Sequence, residues 1–104
     1  MKRFGFKMKL KPGFREEYRR RHREIWPNLV KLLKETGVSN YSIFLDEETG
    51  TLFAYQEQAG ESGSQDLGAT EIVQKWWEYM ADIMEINPDN SPVTKPLVEL
   101  FYME

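Results

Sequence analysis

The fold class predicted by the sequence is an α/β domain (an α+β sandwich) in which helices lie on one face of a four-stranded antiparallel sheet, and three observations predict it. Four short stretches are apolar enough and of the right length to be strands, and two longer stretches repeat their apolar residues at steps of three and four. Their order along the chain is strand, helix, strand, strand, helix, strand, the split βαβ arrangement of a ferredoxin-like domain. With 104 residues the chain has the size of one such domain, spanning residues 1–104, and can bury a core without metal or disulfide staples.

Residues 4–10 open the chain with strict alternation: Phe4, Phe6, Met8 and Leu10 on one side, Gly5, Lys7 and Lys9 on the other. Pro12-Gly13 breaks the strand. The spacing then becomes helical through Phe14, Tyr18, His22, Ile25, Leu29 and Leu32/Leu33, with Gly37 as the stop. Pro27 falls inside this run, lacks an amide hydrogen and crowds the preceding turn, so a kink or two abutting helices are expected near Trp26. Residues 40–45 and 51–57 flank an acidic loop ending in Gly50 and read as an antiparallel hairpin. A Gly- and Ser-rich loop is expected over residues 59–68, then an amphipathic helix through Ala69, Ile72, Val73, Trp76, Trp77, Met80, Ile83 and Met84. Asn87-Pro88-Asp89-Asn90-Ser91-Pro92 ends it in an ordered turn, and residues 97–103 form the last strand candidate.

Several of these strands are apolar on both sides. Phe44 is out of phase with Ile43 and Leu45, and Phe53 and Tyr55 are out of phase with Leu52 and Ala54. A sheet covered on one face only should present polar residues on the other. The expected cover is a second copy of the sheet, giving a homodimer, a dimeric α/β barrel closed by sheet-to-sheet packing. A monomer with an aromatic-lined open groove is the alternative.

Composition and charge exclude several functions. Without cysteine and with a single histidine, the chain offers no disulfide framework, no thiolate nucleophile and no ordinary zinc site. No apolar run is long enough to span a bilayer and the N-terminus does not read as a signal segment, so no membrane partner and a soluble, cytoplasmic protein are expected. The net charge of -3 hides an asymmetry, because residues 1–23 hold ten Lys or Arg against two Glu. That basic third suggests a nucleic-acid footprint, but the acidic remainder offsets it and no aromatic and basic interleaving accompanies it, so no nucleic-acid partner is expected. Phosphate loops and dinucleotide fingerprints are absent from the sequence, and any enzymatic role is expected to be free of cofactors and to rest on proton transfer.

His22 is the natural candidate for that transfer, since imidazole gives and takes protons near neutral pH. It lies between Tyr18 and Trp26 at steps of four, on one stripe of a helix. A satisfied, partly buried histidine fits the same spacing. Trp76-Trp77 is the second feature: flat rings with N–H donors suit the C–H face and hydroxyls of a sugar, and core packing is their competing use. Tyr41, at the start of a strand, places a phenol at a sheet end. Asp89 has the same choice between ligand hydroxyls and an Asx-turn.

The segments Phe14-Arg15-Glu16-Glu17-Tyr18-Arg19-Arg20-Arg21-His22-Arg23-Glu24-Ile25-Trp26-Pro27-Asn28-Leu29, Asn40-Tyr41-Ser42-Ile43, Lys75-Trp76-Trp77-Glu78-Tyr79-Met80 and Asn87-Pro88-Asp89-Asn90-Ser91-Pro92 resemble, in this order, the L-rhamnose mutarotases. The resemblance runs essentially end to end. It implies a ferredoxin-like domain that dimerises through its sheets, a cytoplasmic setting, no cofactor, and interconversion of the α and β anomers of L-rhamnose in rhamnose catabolism. It also implies that His22 is the proton donor, that Tyr18 and Tyr41 contact the sugar, and that Trp76 and Trp77 do the same. The 59–68 loop matches no motif of the family. A cofactor-free monooxygenase, a sugar-sensing domain without catalysis and a pyranase-like activity on a related sugar share the fold or the ring-opening step and stay open at this point.

Overall fold

The computed structural model describes residues 1–104, and its elements follow the expected order with one helix divided. Strand β1 spans Lys2–Lys9, helix α1 Arg15–Arg23, helix α2 Pro27–Glu35, strand β2 Val38–Asp46, strand β3 Thr51–Gln58, helix α3 Glu71–Met80 and strand β4 Lys95–Pro96. The sheet order is β2-β3-β1-β4 with every pair antiparallel, the ferredoxin-like topology.

Pro27 accounts for the division of the helix. Trp26 before it is held extended at ψ 127°, as a residue preceding proline prefers, and Pro27 then occupies the first position of α2, where no amide hydrogen is required. Gly37 ends α2 at φ +94°, and a Cβ there would lie 2.8 Å from that of Ala59, so backbone conformation and space both demand glycine.

The alternation of β1 and β3 becomes burial on one face. Phe6, Met8 and Leu52 are sealed beneath the helices, with Ile83 and Met84 closing the end of the core. A smaller cluster of Leu29, Val73 and Trp77 joins α2 to α3. Arg21 is buried, unlike the other arginines of α1. Its guanidinium donates to Glu17 at 2.7 Å, to Asp82 at 2.9 Å and to the Tyr79 carbonyl at 2.7 Å, which clamps α1 to the end of α3.

Two segments differ from the sequence-based expectation. Helix α3 stops at Met80, and Ile83 and Met84 are buried from turns instead, Met84 bridging to Leu10. The last strand is Lys95–Pro96 rather than residues 97–103. Beyond it Leu97 donates its amide to Gly5, and Arg3 grips Glu99 and lies over the Tyr102 ring at 3.5 Å, so the segment follows β1 without forming a ladder. Its apolar side chains are exposed, Val98 at 82%, Leu100 at 92% and Phe101 at 80%, because a single chain offers nothing for them to pack against.

Candidate active site

Between the helices and the core face of the sheet lies a cavity of about 670 Å³ with a mostly apolar lining. Tyr18, His22, Tyr41, Trp76 and Trp77, widely separated in sequence, all line it. Each arrives by a different local device.

Tyr18 and His22 are one helical turn apart on α1 and stack, with ring centroids 4.2 Å apart. The edge of the His22 stack meets Trp76 at 5.5 Å and 90°, and Trp76 in turn meets Trp26 at 5.1 Å and 86°. The Pro27 break is what turns Trp26 toward α3 and completes this aromatic wall. Trp77 projects about 100° away on the same helix, into the α2–α3 packing. It is 6% exposed and lies so close to Gly68 that a Cβ there would sit 2.8 Å from the indole. Of the tryptophan pair, Trp77 is therefore mainly core and Trp76 faces the cavity more openly.

The state of His22 follows from its contacts. Its Nδ1 lies 2.9 Å from the Tyr18 carbonyl, which only accepts, so Nδ1 carries the hydrogen. In the uncharged ring Nε2 is then a bare acceptor. Burial pushes the His22 pKa below its ordinary value, against the opposing pull of the Tyr18 carbonyl, so the uncharged form prevails at neutral pH. The arginines of α1 are not among the causes of this depression. Tyr18 is nearly buried, and desolvation raises its phenol well above the usual range.

Tyr41 reaches the cavity through an irregularity. Ser39 pairs with Glu57 and Ser42 with Tyr55, so Asn40 and Tyr41 together stand opposite Gln56. Asn40 takes φ +47°, a left-handed conformation that asparagine tolerates, and this bulge resets the alternation of β2. Val38 and Tyr41, three positions apart, both face the helices as a result. Burial raises the Tyr41 phenol, partly offset by hydrogen bonds from Ser64 and Gln65.

Gln56, Ser64 and Gln65 were missed in the sequence. The 59–68 loop contains a 3-10 turn at Ser64–Asp66, whose Asp66 carboxylate accepts the Gly63 amide at 2.8 Å. Ser64 and Gln65 on this turn line the cavity. The available signal was that Gln56 and Gln58 occupy the core-facing phase of β3, in register with Leu52 and Ala54, where a polar side chain demands a buried partner. Asp89 lies outside the cavity and accepts the Ser91 amide at 3.0 Å, which is the turn role.

Comparison with known proteins identifies the family of the chain. A family model described as L-rhamnose mutarotase matches residues 3–103. The chain is 65% identical to an L-rhamnose mutarotase of Bacteroides thetaiotaomicron and 62% identical to one of Formosa agariphila, each over 104 residues and the full length of both chains. A crystal structure of L-rhamnose mutarotase from Formosa agariphila superposes with a TM-score of 0.92 at 59% identity, covering all of both chains. End-to-end similarity at this level, joined to the ferredoxin-like topology, makes the chain a member of the L-rhamnose mutarotase family.

Proposed function

We propose that the cavity holds the free sugar and that His22 moves its proton. As a member of its family the chain interconverts the α and β anomers of L-rhamnose. The reaction requires a proton to leave the anomeric hydroxyl and one to reach the ring oxygen as the ring C–O bond breaks. Both oxygens sit on the same carbon, so the bare Nε2 of His22 takes the first proton and delivers it to the ring oxygen. The open aldehyde turns about its C1–C2 bond, the hydroxyl adds to the other face, and the same nitrogen carries the proton back. No atom is gained or lost and no electron changes hands.

The observation that carries this reading is the hydrogen bond from Nδ1 to the Tyr18 carbonyl, which leaves Nε2 unprotonated in a mostly apolar cavity. Tyr18 and Tyr41 hold sugar hydroxyls. Trp76, with Trp77 behind it, gives an apolar wall suited to the C6 methyl of a deoxy sugar. Saturation-transfer proton NMR on the anomeric signals of L-rhamnose tests it. Fast exchange is expected with the wild type and near-background exchange with a folded His22→Ala variant; equal rates would overturn the role of His22.

We propose further that residues 1–104 work as one domain and pair into a homodimer through the uncovered sheet face, a dimeric barrel acting in the cytoplasm. What supports the pairing is the exposure of the cross-strand neighbours Phe44 and Phe53, at 67% and 41%, together with the exposed apolar segment beyond β4. Sedimentation should give twice the chain mass, and Phe44→Glu should shift it toward the monomer.

A further inference from the structure

Behind Tyr41 lies a chain of hydrogen bonds that runs from one fixed direction. The amide of Ser64 lies 2.9 Å from Gln56 Oε1, and a backbone N–H only donates, so this end of the Gln56 carboxamide is its oxygen. Gln58 Nε2 donates to the same oxygen at 3.3 Å. The nitrogen end of Gln56 then donates to Ser64 Oγ at 2.7 Å, and Gln65 Nε2 donates to that same oxygen at 3.2 Å. A hydroxyl has two lone pairs and one hydrogen. With both lone pairs of Ser64 occupied, its hydrogen is left for Tyr41 Oη at 3.3 Å.

We propose that Gln56 is a positioning residue that acts through Ser64 to make Tyr41 a hydrogen-bond donor toward the sugar. This rests on the reading that Tyr41 contacts the sugar. The phenol accepts from Ser64 on its inner side, so its own hydrogen points into the cavity and meets a sugar oxygen as a donor. The network is built for permanence. Gln56 is 0% exposed, Gln58 is 3% and Ser64 is 7%, and no buried side-chain polar atom lacks a partner. Gly63 completes it, since a Cβ there would lie 2.4 Å from Gln56 Oε1 and 2.3 Å from Gln58 Nε2, and only glycine lets the turn close over the two carboxamides. The same turn that bears no recognisable motif thereby sets the polarity of a residue from another strand.

Two sets of variants test the proposal, each scored by anomer exchange at sugar concentrations well below saturation and by thermal midpoint. Tyr41→Phe should lower exchange by roughly three- to tenfold, the size of one hydrogen bond. Ser64→Ala should lower it by a similar factor alone and by nothing more in the Tyr41→Phe background. Gln56→Glu has nearly the same shape. Its protonated carboxyl donates to Ser64 as the amide did, whereas its carboxylate accepts the Ser64 hydrogen and turns the Tyr41 hydrogen inward, away from the sugar. This variant should therefore be active at the acid side of its carboxyl titration and weak on the alkaline side, an inflection absent from the wild type and from the Gln56→Glu, Tyr41→Phe double variant. If Tyr41→Phe alone leaves exchange unchanged, Tyr41 does not hold the sugar and both readings fall. If Tyr41→Phe is impaired but the Ser64→Ala loss is additive, or the Gln56→Glu inflection persists without the phenol, the positioning role alone is overturned. The Gln56→Glu profile decides the matter where Ser64→Ala does not fold.

Discussion

On one face of the sheet Phe6, Met8 and Leu52 lie sealed beneath helices, and on the other Phe44 and Phe53 stand exposed as cross-strand neighbours. Both faces are apolar, yet only the covered one encloses directed polar groups among its apolar ones: the imidazole of His22, the phenol of Tyr41 and the carboxamides behind it. The uncovered face carries Arg3, Lys7 and Glu57 among its aromatics, and Arg3 is engaged with Glu99 and Tyr102. Apolar surface alone therefore marks a place for packing. A reaction site requires, in addition, polar atoms whose unused hydrogen or lone pair is fixed by a buried partner.

The sharpest way to break this contrast is to change one residue on each face. His22→Ala should reduce anomer exchange by about 10²- to 10⁴-fold, the usual worth of acid-base help, with little effect on the thermal midpoint. Phe44→Glu should do the reverse, changing the sedimentation behaviour while keeping most of the exchange activity per chain. A comparable loss of activity in both would mean that the uncovered face is part of the site.

The next largest effect is on pH. Exchange carried by the uncharged imidazole should fall about tenfold per pH unit once the pH drops below the depressed pKa of His22. The same depression contributes stability that is present above the ordinary histidine value and is lost as pH falls through the lowered one. A rate profile that instead rises toward acid would assign the active form to the imidazolium. Glu17, held down to about 2 by hydrogen bonds from Arg20 and Arg21, adds a separate loss of stability below the ordinary carboxylate range, readable by acid unfolding without substrate.

Smaller effects probe the walls. Trp76→Ala removes the edge contacts to His22 and Trp26 and should weaken sugar binding by about three- to tenfold, the worth of one aromatic contact, as measured by the concentration dependence of exchange. Asn40→Val places a β-branched residue at φ +47° and should cost about 1–2 kcal/mol in denaturant unfolding, whereas Asn40→Gly should be close to neutral. Should Asn40→Val retain full stability, the bulge that carries Tyr41 inward would not depend on a left-handed residue.

Elements whose apolar spacing answers to this chain alone were legible in the sequence. The alternation of Phe4, Phe6 and Met8, the break at Pro27 and the stop at Gly37 each follow from local chemistry and recur in the structure. The final strand was overextended because Val98, Leu100 and Phe101 read as strand residues, although burial within one chain never reaches them. For the site, spacing placed His22 and Tyr18 on one stripe, and residue chemistry singled out Trp76-Trp77 and Tyr41, while the assignment of Tyr18, Tyr41 and the tryptophan pair as sugar contacts rested on family resemblance. Tyr41 depends on a bulge that a count of alternation passes over. Gln56 and Ser64 depend on a contact across eight residues that no periodicity encodes.

The position of β1 at the centre of the sheet has a consequence for synthesis. Lys7 pairs with Phe53 on one side and with Lys95 on the other, so β1 is synthesised before both of its neighbours and waits for them. At ordinary rates of translation the second of them follows on the order of ten seconds later. During that interval one edge of β1 is open, next to Phe4 and Phe6. Lys2, Lys7 and Lys9 then serve the nascent chain as charges that discourage pairing with the same strand of a neighbouring polypeptide.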